Sequence, residues 1–433
     1  MVVGLLSIIV TFGIAVVLLD RQSAVLAAFF VALFPASVRY SAVGCADQHV
    51  AEVLLSTLIL LAFVRGGISR NPVRAKWLDP LALAIATTLA FWNWLGSAFY
   101  LLLLVGFLAA WNIFAPQHDS PATSMARVLA RGTFAAAVLL GVSVGLFAPT
   151  GSLGSLGLSG ITGLSVVLCL MVFAYAGLLV GMRRIWPTDK IAIRILQTAA
   201  ALVVPALVPL AVAGFRQGIA HGLVALARSN PWYMSIIEFR PILFSQVEPL
   251  SAEASRVLAY FGFAFFLMPL FGVTLIDRWR RDPGRRPGTL ILFVWGASLF
   301  LLTLLRTRFA AYLVVPLALW CAMAIEPARI AVSRWSFVSG HGLLRRAIPA
   351  ALVVILLIPG ARTLIAARYA PQASGFDSHL IPLLRWLRGQ PGARPDRLAV
   401  MADWSVGHIV QYFSGKPVLV SPFGTEGGAG AME

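Results

Sequence analysis

Gly44-Cys45-Ala46-Asp47-Gln48-His49-Val50-Ala51-Glu52 joins two apolar runs, residues 22–38 and 53–64. A carboxylate, an imidazole and a second carboxylate therefore sit where two greasy segments meet. Ionisable groups near a membrane segment are costly, and they usually face an aqueous cavity or a partner. Asp47 and His49 are two apart, so in an extended turn both can reach one hard or borderline cation. Glu52 lies three beyond His49 and shares its face on a helix. Two ligands do not make a metal site, and a solvated interfacial loop is the alternative at this point.

The apolar flanks extend along the whole chain. Of its 433 residues, 59% are hydrophobic and only 12% charged, with mean hydropathy +0.87. Soluble chains carry about 25% charged residues. This composition is that of a polytopic membrane protein, so the lipid bilayer is its first partner. A net charge of +17 raises nucleic acid as a partner, but the charges fall in short loops between apolar runs and argue against it. Cys45, Cys169 and Cys321 lie far apart and give neither a disulfide framework nor a thiolate metal site. No basic stretch precedes the first apolar run, so it does not read as a cleaved signal.

About twelve spans follow from apolar runs near the length that crosses a bilayer. They cover residues 1–19, 22–37, 50–65, 78–95, 97–114, 132–148, 161–181, 195–214, 256–274, 289–305, 309–325 and 347–365. Alternate loops hold most of the arginine and lysine: Arg65 to Lys76, Arg127 and Arg131, Arg183 to Arg194, Arg278 to Arg286, and Arg329 to Arg346. The opposite loops hold few. The positive-inside rule puts the basic set in the cytoplasm, and reads Arg278 to Arg286 as a topology signal rather than a binding site. The loops at 38–50 and 215–255 and the tail from residue 366 then lie outside. The N-terminus also falls outside with no span before it, and this predicts a further span upstream in the native protein.

The outer segments carry the polar residues. Residues 215–255 are too long for a turn and too polar for a span, and long structured loops are usually functional. They include Ser235-Ile236-Ile237-Glu238-Phe239-Arg240. Glu238 is either half of a surface ion pair or a third carboxylate reaching the Asp47 site. Arg306-Thr307-Arg308-Phe309-Ala310-Ala311-Tyr312 opens a span from the outer side. There an arginine either snorkels to lipid phosphate or holds a substrate phosphate with its forked donors. Phe91-Trp92-Asn93-Trp94 reads as an interfacial anchor ahead of a substrate platform, and residues 151–160 as a flexible Gly/Ser/Leu loop. In the tail, an amphipathic stretch at 378–387, strand candidates at 397–401 and 417–420 and the intervening Asp403-Trp404-Ser405-Val406-Gly407 read as the opening of a small α/β domain.

Taken in order, these segments resemble the catalytic subunit of oligosaccharyltransferases, integral-membrane glycosyltransferases of the GT-C class. Residues 41–52 resemble the family's second outer acidic motif, Gly-x-x-Asp-x-(Asp/His). Ser235–Glu238 resembles its Thr-Ile-x-Glu loop motif, and Arg306–Tyr312 its Arg-Phe-x-x-Tyr entry to a late span. Asp403–Gly407 occupies the place of Trp-Trp-Asp-Tyr-Gly, and Ser421-Pro422-Phe423-Gly424 resembles the Asn-Pro-Phe-Gly that follows. The resemblance implies a GT-C-like membrane domain at residues 1–365 and a partial extracytoplasmic α/β domain at 366–433. It implies transfer of a glycan from a polyprenyl (pyro)phosphate carrier to the asparagine amide of an acceptor protein. By it, Asp47 and His49 bind Mg²⁺ or Mn²⁺, Asp47 and Glu238 are catalytic, Glu238 and Trp404 bind the acceptor, and Arg308 pairs with the carrier phosphate.

Two departures stand out. The family has an earlier outer loop with a further catalytic Asp, and this chain begins beyond it, so the chain as written is expected to be inactive or severely impaired. Of the family's Trp-Trp-Asp, only Trp404 is kept, which bears on reading of an Asn-x-Ser/Thr sequon. The alternatives are another GT-C transferase using a polyprenyl-phosphate sugar, a catalytically degenerate relative, and, from another class, a secondary transporter. A transporter predicts paired interrupted spans and ionisable groups at mid-membrane, whereas the acidic groups here gather at one interface. The Ala/Arg/Gly-rich composition fits a bacterial inner membrane, with the site on its extracytoplasmic face.

Overall fold

The structure is a computed structural model that describes residues 2–41, 48–68, 77–114, 120–147, 163–188, 190–211, 216, 241–243, 249–334, 341–369, 380–389, 410 and 413–414. The expectations for the loop at 151–160 and the strand candidates at 397–401 and 417–420 fall outside these residues. The described residues are almost wholly helical. Helices follow from the apolar runs because no backbone group in lipid can hydrogen-bond to water, and a helix satisfies its own. The chain divides into two compact units, Met1–Ile365 and Ala366–Glu433.

Helix α1 (Val2–Leu18) ends where Asp20 begins the next helix, α2 (Arg21–Leu33). Asp20 caps α2: one carboxylate oxygen accepts from the backbone of Gln22 and of Ser23, each at 2.9 Å. Burial alone would raise this carboxyl, but the bonds from Ser23 and Gln22 and the charge of Arg285 hold it below its ordinary value. The same end takes two members of the basic cluster. Arg278 Nη2 donates to the Leu18 carbonyl at 2.7 Å and Arg285 Nη1 to the Leu19 carbonyl at 3.2 Å. These arginines satisfy orphan carbonyls at the C-terminus of α1.

After α2 the chain bends by 59° into α3 (Pro35–Ser41). Phe34 precedes a proline, which disfavours the helical region, and it is extended with φ −64° and ψ 135°. The bend aims α3 across the start of α4 (Gln48–Ile68). Five further helices follow: α5 (Asp79–Asn93), α6 (Ala98–Phe114), α7 (Ser120–Phe147), α8 (Gly163–Ile185) and α9 (Ile191–Leu210). Then come α10 (Leu250–Phe261), α11 (Met268–Arg281), α12 (Arg286–Leu305), α13 (Ala310–Ser333) and α14 (Gly342–Tyr369). Among the described residues, seven helices are long and apolar enough to cross a membrane, or eight if α2 and α3 form one bent span. Val2–Leu18, Ala98–Phe114 and Ile191–Leu207 are shorter apolar helices. Apolar side chains such as Leu5, Ile9, Phe134, Val138 and Leu146 remain exposed on the outer helices, as expected of faces solvated by lipid rather than water.

The core lies around α13, which packs against α2, α3, α4, α11 and α12. Every residue of α13 from Ala310 to Met323 is buried. Close approach of α12 to α13 depends on Gly296, where a Cβ would run into the Trp320 ring. Between α10 and α11, Gly262 takes φ +59° and starts a 3-10 turn over Gly262–Leu267. Only glycine adopts that backbone without steric cost. The second unit is described at one amphipathic helix, α15 (Leu380–Gly389), with Leu384 buried and Leu383 and Trp386 exposed. It is also described at Val410, Phe413 and Ser414, where Ser414 Oγ donates to the Val410 carbonyl at 2.6 Å.

Candidate functional site

Two inter-helix junctions, at Trp94 and at Thr307–Phe309, meet beside the start of α4. His49 and Glu52 lie one turn apart on its inner face, and each is 1% exposed. His49 Nδ1 is 3.5 Å from Glu52 Oε2. The other oxygen, Oε1, accepts from Arg308 Nη2 at 3.4 Å. Arg308 sits in the 3-10 turn Thr307–Phe309, which links α12 to α13. The spacing that puts His49 and Glu52 on one helix face was legible; the arginine that meets Glu52 comes from 256 positions later in the chain.

Aromatic rings enclose the three. The Arg308 guanidinium carbon stands 4.6 Å from the centroid of the Trp94 ring, a cation–π distance. Trp94 terminates α5 in extended backbone, φ −165° and ψ 128°, and so turns away from its helix axis. Its neighbour Trp92 is 45% exposed. The two tryptophans of the Trp92-Asn93-Trp94 stretch thus divide: one faces outward as an anchor would, and the other backs the arginine. Tyr40 on α3 and Tyr312 on α13 meet the His49 ring edge-on, with centroids at 5.4 and 6.1 Å. Tyr100 on α6 packs on Tyr312 at 5.9 Å. Beyond Tyr40, Tyr260 lies at 6.3 Å and carries Arg39 over its face at 5.4 Å.

The arrangement is a buried carboxylate shared between an imidazole and a guanidinium. The Arg308 side chain is 14% exposed and directed inward to Glu52 and Trp94, which is not the course of a side chain snorkelling to lipid. Unpaired, a buried carboxylate is strongly disfavoured; paired with a forked guanidinium it is tolerated. For a divalent cation the donor chemistry is suitable but incomplete. Glu52 Oε2 is buried with no hydrogen-bond partner among the described residues. Imidazole nitrogen beside carboxylate oxygen suits a borderline or hard cation. Yet no group of three or more His, Cys, Asp or Glu side chains gathers among the described residues.

Of the residues singled out in the sequence, His49 and Arg308 are brought together, joined through Glu52. Asp47, Glu238 and Trp404 lie outside the described residues. Sequence reasoning missed Glu52 as the hub and Trp94, Tyr40 and Tyr100 as walls. For Tyr312 a signal existed: it stands four residues after Arg308, one helical turn on, at the mouth of the same span.

No family model matches the chain, and no curated protein matches it. Solved structures do. One is the archaeal oligosaccharyltransferase AglB from Archaeoglobus fulgidus in complex with an inhibitory peptide and a dolichol-phosphate. It matches at TM-score 0.78 and 16% identity over 98% of this chain and 53% of that one. A second structure of the Archaeoglobus fulgidus oligosaccharyltransferase, tethered to an acceptor peptide containing the NVT sequon, matches at TM-score 0.72, 16% identity, and 98% and 52% coverage. A third, in complex with Zn and sulfate, matches at 0.69, 16%, and 98% and 50%. The chain therefore has the oligosaccharyltransferase membrane fold, and it spans about half the length of these chains.

Proposed function

Proceeding from that shared fold, we propose that the chain belongs to an oligosaccharyltransferase, a glycosyltransferase of the hexosyltransferase class. It moves a glycan from a polyprenyl (pyro)phosphate carrier to the side-chain amide of an asparagine in an acceptor protein. The observation that carries this reading is the buried His49–Glu52–Arg308 cluster at one end of a helical bundle of that fold. The membrane domain is residues 1–365 with about twelve spans, and residues 366–433 open an α/β domain outside the membrane. The site faces the extracytoplasmic side, and a bacterial inner membrane fits the composition.

In the reaction, the amide nitrogen attacks the anomeric carbon of the donor sugar. The bond from that carbon to the phosphate oxygen breaks, the phosphate leaves with the electron pair, and the amide gives up one proton. An amide is a poor nucleophile, so a carboxylate must hold its N–H groups; Glu238 takes this role together with Asp47. Asp47 and His49 hold a divalent cation, Mg²⁺ or Mn²⁺, which when bound supplies charge neutralisation for the leaving phosphate. Arg308 offers guanidinium donors to the same phosphate. Tyr40 and Tyr312 limit the swing of the His49 ring, and Trp94 holds Arg308 in place. Trp404 contacts the acceptor.

The test is glycoproteomics of the host organism with and without the gene. Loss of Asn-linked glycopeptides on deletion is the expected result. An unchanged set of glycopeptides would remove this function.

A further inference from the structure

At the end of α6 opposite Tyr100, Asn112 is 1% exposed. Its amide has a fixed orientation. Nδ2 donates to Thr198 Oγ1 at 2.9 Å and to the Arg194 carbonyl at 3.4 Å. Thr198 Oγ1 gives its own proton to that same carbonyl, at 2.8 Å. The hydroxyl can therefore only accept from Asn112, and the side of the amide that faces α9 is the N–H side. Oδ1 is the other end of the group, and it is buried with no hydrogen-bond partner among the described residues. A buried acceptor left bare carries the full cost of its desolvation.

A small cavity lies beside it. Asn112 lines it from α6, Thr123 and Ala126 from α7, and Arg183 from α8; among the described residues, none of the lining comes from α9. Since Nδ2 is turned to α9, the atom that Asn112 presents to the cavity is Oδ1. The cavity leaves about 10 Å³ for the centre of a water-sized molecule, which is room for one water.

We propose that this cavity is a binding site for one ordered water, which donates to Asn112 Oδ1 and accepts from the Thr123 hydroxyl or an Arg183 N–H. The chemistry selects water. A phosphate or sulfate does not fit the volume, a bare acceptor oxygen repels any anion, and the Arg183 guanidinium at the wall repels a metal cation. The site has the two or more polar partners that a buried water needs. One side chain then holds α6 to three neighbours: to α9 through Nδ2, and to α7 and α8 through the water. The site stands independently of the reaction that the chain performs.

The test is a double-mutant cycle on the purified full chain in detergent, read by thermal melting. Ala126 is 2% exposed and borders the cavity. Ala126→Val fills the space with methyl groups, displaces the water and leaves Oδ1 bare, so the melting temperature is expected to fall by several degrees. In an Asn112→Leu background there is no acceptor to strand, and the same substitution is expected to leave the melting temperature unchanged or to raise it. An equal loss in both backgrounds is overpacking alone and overturns the proposal. A rise for Ala126→Val in the wild-type background, the behaviour of a dry void, also overturns it. An experimental structure at a resolution that shows waters gives the direct reading: density within hydrogen-bond distance of Asn112 Oδ1 is expected, and an empty cavity overturns the proposal.

Discussion

Arg308 and Glu52 stand 256 positions apart in the chain and meet at 3.4 Å, with the carboxylate side chain fully enclosed. One residue lies at the entry to α13 and the other in the first turn of α4. Their pairing ties the late spans to the early ones at the end of the bundle where the polar residues collect. A charge pair in such a place is poor evidence for stability, because desolvation offsets much of the attraction. Its value lies in what it holds ready.

Arg308→Ala is expected to weaken binding of the carrier phosphate by about tenfold or more, the worth of one charge-assisted hydrogen bond. Farnesyl diphosphate serves as a soluble probe, with affinity measured by calorimetry on the chain in detergent. The substitution also strands the Glu52 carboxylate, so the melting temperature falls. Unchanged affinity for the probe would return Arg308 to a structural role.

Trp94→Ala should act in the same direction but less strongly, since a cation–π contact contributes about 0.5–2 kcal/mol. Trp94→Phe, which keeps a ring face, restores most of the loss. If neither substitution changes probe affinity while Arg308→Ala does, Trp94 is only an interfacial anchor.

Asp20→Ala removes the cap of α2 and is expected to cost about 1 kcal/mol, read as a lower melting temperature. The pH dependence has a defined sign. The Asp20 carboxyl is lowered in the folded chain, so its contribution is present above the unfolded-state value and is lost as the pH falls through the folded one. The gap between wild type and Asp20→Ala should therefore close on acidification. A gap that widens toward acid pH contradicts this.

Trp404→Ala should weaken affinity for an acceptor peptide more than affinity for the farnesyl diphosphate probe. The reverse order would remove the tail from acceptor reading.

The helical membrane architecture was legible because length and apolarity decide it: apolar runs near the thickness of a bilayer appear as helices. The bend at Phe34-Pro35 is also encoded, in a proline that a hydropathy reading of residues 22–37 passes over. His49 and Arg308 were legible from residue type and from their place at span ends. Local spacing shows Glu52 only as sharing a face with His49, because its second partner comes from 256 positions later in the chain and nothing nearby announces it. By composition Trp94 reads together with Trp92 as an anchor. The extended backbone that separates their directions is a property of the helix end, not of the residue types. The basic cluster at Arg278 to Arg286 carries topology information, but Arg278 and Arg285 also donate to the carbonyls of Leu18 and Leu19, a long-range contact that charge counting does not reveal.

The most direct measurement is the yield of Asn-linked glycopeptides in a host deleted for the gene and complemented with the full-length gene as wild type, Asp47→Ala or Glu238→Ala. The account predicts that wild type restores glycosylation and that each substitution abolishes it while the protein still accumulates in the membrane. Full restoration by either variant would contradict the assignment of these carboxylates to the transfer of the glycan.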